Sequence, residues 1–249
     1  MEMTKGTWAR SDILVALYDQ TGMGGEQFRK LQVKLRALKH ATGGKLNSIV
    51  VTSPLMSEGK TACATNLAVA LSFEPTRRVL LIDCDVRKPK VQSYLVGAPG
   101  RGLLDVLAGR ASVEDVVLTM PGGNLDVMVL PLVSSGSGGG GGAGSNGSRP
   151  HSLPIERLKD LLRTLTSRYE FVICDAPPIL PTADASGLVD ICDGALMVVR
   201  AGVTPRPAAS KALVAIDRTK LIGFLLNDVP ETRMGRYYYK YYSDVEKPK

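Results

Sequence analysis

Asn47-Ser48-Ile49-Val50-Val51-Thr52-Ser53-Pro54-Leu55-Met56-Ser57-Glu58-Gly59-Lys60-Thr61 runs from a β-branched apolar stretch through a short turn into helical spacing. Asn47–Ser53 reads as a buried strand and Thr61–Phe73 as a helix. A turn joining a strand to a helix N-terminus presents backbone N–H groups to an anion. Lys60 is then placed to neutralise phosphate oxygens, and the Thr61 hydroxyl to hold Mg²⁺. The full phosphate-loop pattern asks for a glycine where this chain has Pro54, so Gly59-Lys60-Thr61 alone is suggestive only.

Working outward, Arg78–Asp83, Leu125–Leu130, Glu170–Asp175, Gly194–Arg200 and Leu221–Asn227 are further short apolar runs that read as strands. Ile155–Arg168 and Pro205–Arg218 carry helical spacing between them. Nearly continuous apolar strands alternating with helices predict an α/β fold, a mostly parallel central sheet flanked by helices on both faces. Two of these strands end in acids: Val79-Leu80-Leu81-Ile82-Asp83-Cys84-Asp85-Val86-Arg87 and Phe171-Val172-Ile173-Cys174-Asp175-Ala176-Pro177-Pro178. In a parallel sheet the strand C-termini form the edge where ligands bind, so Asp83, Asp85 and Asp175 are expected to converge on the phosphates and on Mg²⁺ held by Thr61. A lone strand-end Asp is often a helix cap, but three beside a phosphate loop point to nucleotide binding.

The 249 residues carry 31 Lys and Arg against 24 Asp and Glu, a net charge of +7 that permits an acidic partner without choosing one. A hydrophobic share of 44% allows a sizeable core and excludes a wholly disordered chain. Met1 to Ser11 is polar, without the apolar run of an export signal. The most apolar stretch, Leu188 to Val203, is interrupted by Asp190, Asp193 and Arg200, against the roughly 20 apolar residues a membrane span needs. Cys63, Cys84, Cys174 and Cys192 sit in apolar or motif segments and are expected to be buried, reduced thiols. A soluble, cytoplasmic protein is the expectation.

Three segments stand apart from this plan. Glu26 to His40 places Phe28, Leu31, Leu35 and Leu38 on one helical face and Arg29, Lys30, Lys34, Arg36 and Lys39 elsewhere, which suits a surface helix or a partner-binding one. Ser134 to Ser148 is nearly all Gly, Ser and Ala, and reads as a flexible Gly-rich loop over 134–149. Arg233 to Lys249 holds Tyr237, Tyr238, Tyr239, Tyr241 and Tyr242. The expected organisation is an N-terminal segment at 1–25, a nucleotide-binding domain at 26–230 and a tyrosine-rich tail at 231–249.

The three motifs in this order, with the tyrosine cluster, resemble the bacterial tyrosine kinases, a family built on the P-loop ATPase fold and tied to capsule and exopolysaccharide export. The resemblance covers about Glu26 to Tyr242, and Leu81 to Arg87 with the tyrosine tail are its most specific parts. It implies ATP and Mg²⁺ as cofactors, bound by Ser57, Glu58, Gly59, Lys60, Thr61 and Ala62. It also implies Mg²⁺ ligation by Thr61, Asp83 and Asp175, and catalysis by Lys60, Asp83, Asp85 and Asp175 with Asp83 as base. Asn227 matches a position that touches adenine in related ATPases, and the five tail tyrosines would be the phosphorylation sites. The implied partners are a membrane activator of the polysaccharide co-polymerase type, further copies in a ring-like homo-oligomer and a cognate tyrosine phosphatase, with no specific nucleic acid. The protein would then sit at the inner face of the plasma membrane through its activator.

The chain also departs from its relatives. Partition and cell-division ATPases carry a lysine where Leu55 stands, which favours the kinase branch. The kinases have Pro-Gly at Met56-Ser57, and a Glu-x-x-Arg-x-x-Arg motif of which Glu26 and Arg29 remain while Gln32 replaces the second arginine. The competing readings are an ATPase switch of the partition type and a nucleotide-binding adaptor without catalysis.

Overall fold

The structure is a computed structural model that describes residues 4–5, 7–8, 14–95, 100–122, 124–130 and 152–230. A short strand β1 (Thr4–Lys5) is followed by helices α1 (Val15–Tyr18) and α2 (Met23–Ala41). Next come β2 (Ser48–Thr52), α3 (Lys60–Ser72) and β3 (Val79–Asp83), then one turn of 3₁₀ helix at Val91–Tyr94. The middle of the chain gives α4 (Leu103–Leu107), α5 (Val113–Val116), β4 (Leu118–Thr119) and β5 (Leu125–Met128). The remainder forms α6 (Ile155–Leu165), β6 (Phe171–Asp175), α7 (Ala183–Ile191), β7 (Gly194–Arg200), α8 (Arg206–Val214) and β8 (Leu221–Asn227).

Eight strands form one sheet in the order β1-β4-β5-β3-β6-β2-β7-β8. Every pairing is parallel except β4 against β5. All six strands expected from the sequence are present, and the antiparallel edge with its two-residue strands is the addition. Strand residues alternate between two cores, as a period of two requires when both faces are covered. Ile49, Val51, Leu81 and Ile173 enter one core with α3, whereas Val50, Leu80, Ile82 and Val172 enter the other with α6 and α7. Helix α3 is buried nearly all round, because Ala64, Ala68 and Ala70 leave room for the sheet on one side and α1 and α2 on the other.

The upstream helix is longer than its periodicity predicts. Leu35 is buried and Phe28 and Leu31 pack on the core, but Leu38 is exposed. Its basic face is partly structural: Arg36 pairs with Glu74 at 2.6 Å and with Glu170 at 3.2 Å, and Lys39 donates to Asn47 at 2.6 Å. All four cysteines are buried and unbridged. The Gly-rich loop and the tyrosine tail lie outside the described residues.

One buried acid away from the strand ends holds the β5 side of the sheet. Asp126 is fully buried, accepts hydrogen bonds from Thr119 Oγ1 and Tyr169 Oη at 2.7 Å each, and pairs with Arg78. Removing it strands those donors. Asp126→Ala is expected to cost about 3 kcal/mol, read as a lower urea midpoint at unchanged denaturant slope.

Candidate phosphate-binding site

Strand β2 delivers the chain into a loop over 53–59 that ends at the first turn of α3. The loop is held by its own acid. Glu58 is buried; its Oε2 accepts from Leu55 N at 2.7 Å and its Oε1 accepts from the Thr204 hydroxyl. Thr204 Oγ1 in turn accepts from Arg200 N at 2.7 Å. From the next strand, Asn227 Nδ2 donates to Glu58 O at 3.0 Å. The loop is therefore stitched to the ends of both β7 and β8.

Two backbone positions in the loop have positive φ, Gly59 at 88° and Ser57 at 63°. Gly59 also faces Asn227 so closely that a Cβ would fall 2.0 Å from its amide nitrogen, so only glycine fits. Ser57 holds this left-handed conformation without being a glycine.

The three strand-end acids meet as their order predicts, because β3 and β6 are neighbours and Asp83 pairs in register with Asp175. Asp83 is held by backbone donors: Oδ1 accepts from Asp85 N at 3.1 Å, and Oδ2 accepts from Lys90 N and Val91 N at 3.0 Å each. Asp85 Oδ2 pairs with Lys60 Nζ at 3.0 Å, and its Oδ1 accepts from Lys88 N at 3.0 Å. Neither oxygen of Asp175, also buried, has a partner with full hydrogen-bond geometry among the described residues, although the Thr61 hydroxyl lies close enough to favour its charged form. Burial, and then the charge of Asp175, raise the Asp83 carboxyl well above the ordinary range. Burial likewise pushes Asp175 up to about 6, with the Lys60 charge and the Thr61 hydroxyl restraining the rise.

A cleft of about 1240 Å³ opens over the loop, lined by Ser57, Gly59 to Cys63, Lys90, Tyr94, Phe224 and Asn227, with α2 forming another wall. Glu58 is absent from that lining because its side chain is turned into the loop. The described residues contain no group of three His, Cys, Asp or Glu side chains arranged to hold a metal by themselves. An orphaned carboxylate beside a threonine hydroxyl nevertheless suits Mg²⁺, which takes one or two protein oxygens and completes its shell with phosphate and water. Thr204 and Lys90 are site residues that the motifs did not reveal. Thr204 acts from 146 positions away in the sequence, and Lys90 lies just beyond the acidic motif.

Fold and site together define a P-loop nucleotide-binding domain of the ATPase type. Residues 57–203 match the family model described as an AAA domain. The tyrosine-protein kinase YwqD of Bacillus subtilis is 29% identical over 228 residues, spanning 91% of this chain and 90% of the relative. The tyrosine-protein kinase CpsD of Streptococcus agalactiae is 30% identical over 194 residues, 76% of this chain and 78% of the relative. The succinoglycan biosynthesis transport protein ExoP of Rhizobium meliloti is 29% identical over 216 residues, 85% of this chain but 26% of that longer protein. Among solved structures, the chimerical protein CapA2B2 superposes with a TM-score of 0.73 at 25% identity, covering 91% of this chain and 94% of the other. The chain belongs to the AAA domain family and, within it, to the bacterial tyrosine kinases.

Positive φ costs a non-glycine residue about 1–2 kcal/mol, and glycine costs back about 0.5–1 kcal/mol in chain entropy. Ser57→Gly is therefore expected to stabilise the protein by roughly 0.5–1 kcal/mol, measured by chemical denaturation. Asp175 gives a pH-dependent test. Its folded pKa of about 6 lies above the ordinary 3.8, so the stability linked to its protonation is fully present below 3.8 and lost as pH rises through 6. Asp175→Asn should be more stable than the parent at neutral pH in the absence of ligand, and its melting temperature should lose that part of the pH slope.

Proposed function

We propose that the protein is an ATP-dependent tyrosine autokinase that phosphorylates its own Tyr237, Tyr238, Tyr239, Tyr241 and Tyr242, and that this regulates exopolysaccharide or capsule polymerisation and export. The observation that carries the reading is the cluster of three buried strand-end acids around one phosphate-loop lysine, with Asp175 left unpartnered. Membership of the bacterial tyrosine kinases supports the choice of tyrosine as acceptor. ATP would bind with its phosphates on the N–H groups of 57–62 and its base toward Asn227. Mg²⁺, held by Thr61 and Asp175, would supply charge neutralisation at the phosphates, while the three backbone hydrogen bonds to Asp83 leave that carboxylate for the proton.

Lys60 must first leave Asp85, and phosphate oxygens then replace that carboxylate as its partner. This exchange uncovers the acids when the substrate arrives. A carboxylate offers about four lone-pair positions, of which backbone donors take three on Asp83. The remaining position accepts the phenolic proton, and the raised pKa of Asp83 favours that transfer. The tyrosine oxygen forms its bond to the γ-phosphorus as the bond to the bridging oxygen breaks, and ADP leaves. Positioning and charge neutralisation dominate, as a loose transition state requires.

Each phosphate adds about −1.5 to −2 charges, so a few of them reverse the sign of a tail containing Arg233, Arg236 and Lys240. That reversal would loosen a ring in which tails dock on neighbouring copies, and a tyrosine phosphatase would restore it. Among the described residues no helix is long and apolar enough to cross a membrane. A membrane co-polymerase partner would hold the protein at the cytoplasmic face. The match to part of a succinoglycan transport protein supports that setting.

Intact-mass analysis and phosphosite mapping after incubation with Mg-ATP test the proposal, with Lys60→Met as control. Phosphate on residues 237–242 of the parent and none on the variant is expected. ATP binding with no phosphotyrosine, even with a membrane-activator fragment present, would point instead to an ATPase switch or an adaptor.

A further inference from the structure

The charge balance of the cleft is incomplete with Lys60 alone. Asp83, Asp85 and Asp175 are three buried carboxylates that do not themselves line the cleft, Lys60 pairing with Asp85, and a nucleoside triphosphate brings more negative charge than one Mg²⁺ removes. Lys30, Lys34 and Arg200 also line the cleft. Arg200 pairs with Asp228 at 2.8 Å, beyond β7, and Lys34 stands on α2.

Lys90 differs in placement and in freedom. It lines the same cleft as Lys60 and Thr61, is exposed, and forms no ion pair among the described residues. Its backbone is anchored by the catalytic strand itself, since the N–H groups of Lys90 and Val91 both donate to Asp83 Oδ2. The 3₁₀ turn that follows buries Val91, Gln92 and Tyr94, so the chain cannot swing away without losing that packing. Its charge is also among those that hold down the pKa of Asp175, which puts it on the side of the acids.

We propose that Lys90 is a second phosphate-binding residue, contacting the terminal phosphate of a bound nucleoside triphosphate and so separating it from the diphosphate product. The inference rests on the reading of the cleft as an ATP site. Asp83 thereby acquires a second task, to fix the Cα position from which this cation reaches the site. Once the γ-phosphoryl group has moved to the acceptor tyrosine oxygen and ADP remains, the Lys90 contact is lost while the loop and Lys60 still hold the other phosphates. Product release follows from the same geometry that favours the substrate.

Equilibrium binding of ATP and of ADP, each with Mg²⁺, to the full chain tests this in the parent, Lys90→Gln, Lys90→Arg and Lys60→Met. Lys90→Gln should weaken ATP on the order of tenfold, the size of one charged hydrogen bond, and leave ADP within about twofold. Lys90→Arg should restore most of the ATP affinity. Equal losses for both nucleotides, or no loss for either, would overturn the assignment, as would a defect confined to the KM of the acceptor tyrosine. If the parent binds neither nucleotide, the ATP reading itself fails; if the parent binds both and only Lys60→Met is impaired, the ATP reading stands and the role of Lys90 falls.

Discussion

Three carboxylates buried under one ammonium group set the terms for the rest of this molecule. Asp83, Asp85 and Asp175 are at most 3% exposed, and Lys60 is the cation paired with one of them. Like charges gathered out of water are costly, and the cost appears as raised proton affinity in Asp83 and Asp175. A cation placed among these carboxylates would offset that cost.

The sheet order makes this concentration possible. Parallel neighbours β3, β6 and β2 finish at the same edge, and their registers bring Val51 level with Asp175 and Asp175 level with Asp83. Backbone donors from the turn after β3 neutralise part of the Asp83 charge, and the phosphate loop covers the cluster. That loop is itself tied down at both ends by Glu58, Thr204 and Asn227, which accounts for its tolerance of a serine at positive φ. Strain at position 57 persists because the surrounding hydrogen bonds over-determine the turn.

Most of the plan was legible because it rests on local pattern. Buried parallel strands read as continuous apolar runs, and Ser48–Thr52, Val79–Asp83 and Phe171–Asp175 lie within or match the runs that foretold them. Helix ends were less legible: α6 stops at Leu165 and α8 at Val214, short of Arg168 and Arg218, since apolar spacing continues past the last turn. Helix α7 escaped notice because Ala183–Ile191 adjoins the apolar stretch leading into β7, and composition alone does not divide helix from strand there. The outermost strand β1 and its neighbour β4 are two residues each, too short for a period. Within the site, the motif residues Lys60, Thr61, Asp83, Asp85 and Asp175 announced themselves through type and spacing. The contacts of Glu58 with Thr204 and of Asp83 with Lys90 and Val91 did not, because one spans 146 positions and the other depends on the path of a turn.

The thiols beside the acids have a consequence of their own. Cys84 stands between Asp83 and Asp85, Cys174 precedes Asp175, and both pack with Cys192 in the core on the far side of the sheet from α3. A hydrogen bond to Cys174, with burial, keeps the Cys192 thiol protonated well above its ordinary range. Burial beneath α6 and α7 shields these sulfurs from alkylating reagents, and an opening of that core exposes them. The molecule thus carries a covalent clock directly behind its strand-end acids, in which the half-time of thiol modification counts how often the core beneath α6 and α7 opens.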